Sequence, residues 1–251
     1  MSSLFTVATT EFKRMFFSPL AWSILAILQF VLALMFLVLV QDFITLIQPQ
    51  TAGIENPPGV TDTIVSALFL WAGIIMLAVM PILTMRSIAE ERSNGTFSLL
   101  RSAPISMTEI VLGKFFGLMM FVFIMIGLVS LMPLSLSLGT SLDWGKFLAA
   151  ILGLSLLLAS FAAAGIFISS LTNQPIIAAI SSFGLLLVLV VLYISGKSET
   201  TGSELFVYLS HFGHFLPFLE GIFQSGDLAY YLLFICGFLI LTIRKLDNER
   251  L

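Results

Sequence analysis

Long stretches without a single charged residue alternate with short polar punctuation along this chain. The charge-free stretches cover 15–41, 63–85, 115–142, 147–196, 205–219 and 228–243. A helix that crosses a bilayer needs ~20 predominantly apolar residues, so each of the first three predicts one span. The fourth is long enough for two. It contains Thr172-Asn173-Gln174-Pro175, a polar turn whose proline disfavours helix just before it, and it divides there. The stretch 228–243 is short, but Tyr230 and Tyr231 at its start suit a membrane interface. The pattern therefore predicts an all-α integral membrane protein, one transmembrane domain over residues 1–251. Its six transmembrane helices are placed near 19–41, 63–85, 111–134, 147–170, 176–195 and 228–243.

Two further segments carry structure. Residues 205–219 are broken by Gly213 and Pro217 and hold His211 and His214; too short to span, they predict an interfacial or re-entrant segment within the connection 196–227. Residues 4–17 place Leu4, Phe5, Ala8, Phe12, Met15 and Phe16 on one helical face, with Glu11, Lys13 and Arg14 elsewhere. That pattern predicts an N-terminal amphipathic helix lying on the lipid surface.

Composition sharpens the class. Only 10% of residues are charged, 59% are hydrophobic and the formal net charge is −3, with a mean hydropathy of +1.09. Soluble domains carry about 25% charged residues. A soluble enzyme and a nucleic-acid binder with a basic face are both excluded, and the surrounding partner is lipid. The lone cysteine, Cys236, leaves no internal disulfide. The first apolar run has full span length and ends in Gln41-Asp42, unlike a signal peptide. One set of connections holds Lys13, Arg14, Arg86, Arg92, Arg101, Lys114, Arg244, Lys245 and Arg250, the other only Lys146 and Lys197. The positive-inside rule places both termini in the cytoplasm, and an even number of spans fits termini on one side.

The largest inner connection, 86–110, has clear punctuation. Asn94-Gly95 breaks the helix leaving the second span, Thr96 to Arg101 can form about one and a half turns, and Pro104 ends them. Ser106 and Glu109 have capping-box spacing for the third span. The short helix is expected to run parallel to the membrane, exposing Phe97, Leu99 and Leu100 between Glu91, Arg92 and Arg101. Exposed apolar residues of that kind are what a docked partner buries, although an ordinary charged loop has the same spacing.

The stretch from Met85 to Lys114, with Glu90-Glu91-Arg92, Gly95-Thr96, Leu100, Pro104, Ile110 and Gly113-Lys114 at matching intervals, resembles the signature loop of ABC type-2 permeases. Glu11-Phe-Lys-Arg-Met-Phe-Phe-Ser18-Pro19 resembles the helix before the first span in the gliding-motility-type branch. The permeases of nitrous-oxide-reductase maturation are similar relatives. The resemblance implies a permease without its own ATPase in a bacterial cytoplasmic membrane. It would pair with a second permease copy and with separate nucleotide-binding subunits that carry the ATP and Mg, and an extracytoplasmic accessory protein is possible in such systems. Thr96–Arg101 would be the coupling helix, with Arg86, Glu90, Glu91, Arg92, Gly95, Thr96, Phe97, Leu99, Leu100, Arg101 and Pro104 meeting the ATPase. The helix at 4–17 would be the connecting helix, and 204–223 the re-entrant outer helices.

Absent motifs weigh on the same side. The only Gly-Lys-Ser is Gly196-Lys197-Ser198, and Val191 stands where a phosphate-binding loop needs its first glycine. The apolar runs of the spans hold no Asp, Glu, His, Arg or Lys, against the habit of ion-coupled carriers. His211 and His214, at i and i+3, form a thin case for a metal with Glu220 or Glu204, lacking a third ligand at known spacing. Gly113 and Gly117, and the crowd of Gly153, Ala159, Ala162, Ala163, Gly165 and Ser169, permit close helix approach. Two functional readings follow: the transmembrane permease of an ATP-driven transporter, or an ATP-independent carrier or membrane assembly factor.

Overall fold

The computed structural model describes residues 3–50, 58–97, 100, 104–196, 206 and 208–249. Helices account for nearly all of them, and no strand occurs among them. We label nine: α1 (Ser3–Phe16), α2 (Pro19–Asp42), α3 (Ser66–Thr84), α4 (Ala89–Ser93), α5 (Met107–Leu136), α6 (Trp144–Leu171), α7 (Pro175–Gly196), α8 (His211–Leu219) and α9 (Ser225–Asn248). Helix α2 runs on through a π-helical turn at Phe43–Ile47, and a second such turn, Thr61–Val65, leads into α3. Six helices are long and apolar enough to cross a membrane, at the six places the charge-free runs mark.

Local chemistry sets their ends. Pro19 at the start of α2 fits the first turn, where no backbone N–H is needed. Ser106 and Glu109 close a full capping box at the head of α5: the Glu109 N–H donates to Ser106 Oγ at 3.2 Å and the Ser106 N–H to Glu109 Oε2 at 3.1 Å. The polar turn ends α6 at Leu171 and restarts the chain at Pro175. Asp143 caps α6 through the N–H groups of Gly145 and Lys146.

Helix α6 is the centre of the bundle. Two-thirds of its apolar window (67%) is buried, against 11% for the first span and 17% for α7, whose remaining apolar faces stay open. Its small residues admit neighbours closely. A Cβ on Gly165 would stand 2.3 Å from Thr84 Oγ1 of α3, and one on Gly153 would stand 2.5 Å from Phe218 Cβ of α8. Helix α8 is only nine residues long and packs against α3, α6, α7 and α9. One end of the bundle gathers α1, the described residues of the connection after α3 and the C-terminal end of α9, joined by Arg92–Glu249. The other gathers the heads of α3 and α6 and the segment after Leu219, where Ser66 Oγ donates to the Leu219 carbonyl at 2.8 Å.

Two expectations change. Helix α1 lies along α5 instead of resting on lipid alone, and Glu11 sits on its buried face, 5% exposed, while Phe5 is half exposed. Charge is also buried inside the membrane helices: Lys114 lies just ahead of its charge-free run but within α5, and α9 begins early enough to include Asp227. Burial is tolerable because each faces a partner of opposite sign or a hydrogen-bonding ring.

Candidate coupling site

The chemistry of the loop end starts at Gly117. A Cβ there would lie 2.7 Å from the Ala8 carbonyl oxygen and 2.8 Å from Glu11 Cβ. One turn earlier, Gly113 meets Val7 in the same way. This Gly-x-x-x-Gly pair thus serves packing within one subunit, seating α1 in a groove of α5. With α1 so close, the Glu11 carboxylate reaches the Lys114 ammonium at 3.4 Å.

Lys114 is 2% exposed and has a second carboxylate, Glu91 of α4, at 2.5 Å. Glu91 is shared with Arg14 of α1, whose Nη1 donates to it at 2.9 Å. The other Arg14 nitrogen, Nη2, donates to the Arg86 carbonyl at 2.6 Å, and Arg86 in turn donates to Ser18 Oγ at 2.7 Å. Two cations and two carboxylates, Arg14, Lys114, Glu11 and Glu91, therefore lock three chain segments together. Removing one partner from such a buried set leaves an uncompensated charge, which costs about 3–5 kcal/mol. On the α6 side, Ser169 Oγ accepts from the N–H groups of Ile88 and Ala89 at 3.2 and 2.9 Å.

The loop tip follows. Helix α4 ends at Ser93 with Asn94 as its C-cap, and Gly95 takes φ +73°, the left-handed conformation that glycine adopts without strain. Ser93, Asn94, Gly95 and Thr96 form the exposed tip. Arg92 Nη2 meets Glu249 at 2.5 Å, and its guanidinium lies 5.2 Å from the Phe97 ring centroid. Phe97 is buried and Leu100 partly buried against the core, so the tip does not expose them as the sequence pattern predicts. The Leu100 N–H reaches the Thr96 carbonyl at 3.4 Å, as one helical turn does. Pro104 is exposed; Leu99 and Arg101 lie outside the described residues.

The structure therefore divides the sequence-predicted set. Glu91 and Arg92 turn inward to fix the loop. Arg86 and Glu90 form an i,i+4 pair at 3.5 Å, and both line a cavity of about 520 Å³. That cavity is also lined by Arg14, Phe17, Leu20, Leu83, Asn94 and Thr96. Lys13 is on α1 near its C-terminal end, where a cation suits the helix dipole. The sequence reading missed Lys114 as the hub and Ser18, Ser169 and Glu249 as its supports. The signal for Lys114 was its place eight residues into a capped helix, on the face marked by Gly113 and Gly117.

His211 and His214 are not arranged for a metal. Both ring nitrogens of His214 are engaged, with Asp227 Oδ1 at 2.6 Å and the Tyr208 carbonyl at 2.8 Å. His211 Nδ1 faces the Tyr230 hydroxyl at 3.0 Å. Burial, helped by the nearby His214, lowers His211 to about 3 and holds it neutral. Among the described residues no group of three or more His, Cys, Asp or Glu side chains is placed to hold a metal ion. Glu204 lies outside the described residues.

Six apolar helices around a buried centre, with a clamped polar loop at one end, define a multi-pass membrane protein. The sequence model of the ABC-2 family transporter proteins matches residues 5–219, and the chain belongs to that family, the permease component of an ABC transporter. The match carries the family and no particular branch of it. No curated protein matches the chain.

Proposed function

We propose that this chain is the permease subunit of an ATP-driven, export-type ABC transporter or mechanochemical complex. A separate ATPase subunit holds ATP and Mg and docks on the loop tip. The chain works as a pair of copies in the bacterial cytoplasmic membrane. The loop end, rich in Lys and Arg, faces the cytoplasm, which makes 211–219 a re-entrant helix of the outer side. The residues 5–219 that match the family include every element of the mechanism below except α9.

The observation that carries this reading is the buried clamp of Lys114 between Glu11 and Glu91. It converts an otherwise loose loop into a rigid extension of α1 and α5, and Arg92–Glu249 extends it to α9. When ATP binding draws two partner subunits together, the tip moves with them. The clamp passes that displacement to three helices at once, and the spans rearrange as rigid bodies.

Two variants separate docking from coupling. Asn94→Arg with Thr96→Arg loads the exposed tip and leaves the clamp intact; it is expected to abolish co-purification of the ATPase. Glu91→Gln cuts the clamp; it is expected to keep the ATPase bound while stimulation of its turnover falls at least tenfold. Wild-type stimulation in both variants would overturn the assignment.

A further inference from the structure

The coupling mechanism gives no role to the cavity of about 520 Å³ beside the clamp. Its size falls within the range of about 300–1,000 Å³ that small-molecule pockets occupy. Ser18, Leu20 and Ala21 reach it from the head of α2, and Leu83 from the tail of α3, so it lies where one span begins and another ends. Trp22, in the first turn of α2, marks the same level. Its ring is exposed, and its indole N–H donates to the Phe16 carbonyl at 2.8 Å, the posture of an aromatic at a membrane interface. Phe17, on the cavity wall, is 85% exposed.

The cavity has two walls of different chemistry. Met15, Phe17, Leu20, Ala21 and Leu83 make an apolar one. Among the described residues, the charged side chains of the other are two cations, Arg14 and Arg86, and two carboxylates, Glu90 and Glu91. Glu91 turns inward to Lys114, which leaves Arg14, Arg86 and Glu90 as the partly exposed charges. Ser18 Oγ holds Arg86 through Nη1 at 2.7 Å. Arg86 Nε stands 3.5 Å from Glu90 Oε2, an ion pair too long for a normal hydrogen bond. Within the described residues, Arg86 Nη2 and the Glu90 carboxylate therefore keep their hydrogen-bonding capacity for a molecule in the cavity.

A ligand that suits both walls carries apolar chains, an anion and a cation. Guanidinium groups match the oxygens of a phosphodiester, and a carboxylate accepts from a primary ammonium. A phospholipid with a net negative headgroup would satisfy Arg86 but set its extra charge beside Glu90 without a partner. A quaternary ammonium has no N–H to donate. We propose that the cavity binds the headgroup of a zwitterionic aminophospholipid, with its phosphodiester on Arg86 and Arg14, its ammonium on Glu90 and its acyl chains against Phe17 and Leu20. The leaflet that supplies the lipid follows from the orientation proposed above. The site itself depends neither on that orientation nor on an ATPase.

The test uses the purified full-length chain, stripped of lipid in detergent and then given dioleoyl phosphatidylethanolamine, phosphatidylglycerol and phosphatidylcholine in equal amounts. Native mass spectrometry reads which lipid each chain retains. The wild type is expected to retain phosphatidylethanolamine about tenfold over the other two, the factor that one charge-assisted hydrogen bond supplies. Glu90→Gln is expected to hold phosphatidylethanolamine and phosphatidylglycerol alike, and Arg86→Gln to lose both. Glu90 is partly exposed and pairs with Arg86 alone among the described residues, so its variant keeps the test decisive should Arg86→Gln fail to fold. Soluble glycerophosphoethanolamine at the lipid's concentration is expected to displace none of it, because it lacks the chains. A wild type that retains phosphatidylglycerol as well as phosphatidylethanolamine would overturn the proposal. So would a preference unchanged in Glu90→Gln, or full displacement by the soluble headgroup. Because no ATPase takes part, each of these failures leaves the coupling reading standing.

Discussion

Replacing Lys114 by methionine takes one cation from a buried set of four charges and leaves Glu11 facing only Arg14, at 3.5 Å. The expected cost is about 3–5 kcal/mol, read as a lower midpoint in denaturant titration of the detergent-solubilised chain. Lys114→Met combined with Glu11→Leu removes a cation and an anion together and leaves Arg14 with Glu91. That double variant is expected to recover more than half of the loss, a coupling that a double-mutant cycle measures. Simple addition of the two single costs would refute the clamp. At this scale the sequence was partly legible. Glu11 and Lys114 are 103 positions apart, and spacing along one helix marks Glu11 as polar but not as paired. What fixes its partner is the distance between two helices, and the glycines that set it were visible only as a motif for close packing.

The glycine pair of α5 bears on a whole element. A methyl group on Gly117 would press on the Ala8 carbonyl, which is backbone and has no rotamer to escape into. Gly117→Ala is therefore expected to displace α1 and to destabilise by about 1–3 kcal/mol. Limited proteolysis near Lys13 and Arg14 should accelerate severalfold in the variant, and an unchanged cleavage rate would mean that α1 rides loosely. Element by element, the charge-free runs located all six spans, and punctuation located the capping box, the Asn94-Gly95 break and the Thr172–Pro175 turn. Those signals are local. The inward turn of Phe97 was not readable, because a short apolar helix looks alike whether it meets a partner or its own core. The place of α8 was readable as a segment too short to span, but its packing against α6 through Gly153 was not.

At the scale of the molecule, orientation rests on charge alone. On a Cys236→Ser background, cysteine at the exposed Asn94 is expected to react with a membrane-impermeant maleimide only in inverted vesicles. Cysteine at the exposed Gly139 is expected to react only in intact cells or right-side-out vesicles. The opposite pattern would invert the protein and remove the ATPase from the loop. The little-buried first span and α7 leave apolar area for lipid or a second copy, whereas α6 is spent on the core. One measurement reaches the central claim directly. Tagged wild-type chain and the Asn94→Arg, Thr96→Arg variant are purified side by side in mild detergent, and co-purifying proteins are assayed for ATP hydrolysis and identified. The account predicts a P-loop ATPase bound to the wild type and absent from the variant, with both chains equally folded by size-exclusion profile. An ATPase held equally by both, or no ATPase with the wild type in any of several detergents, would contradict it.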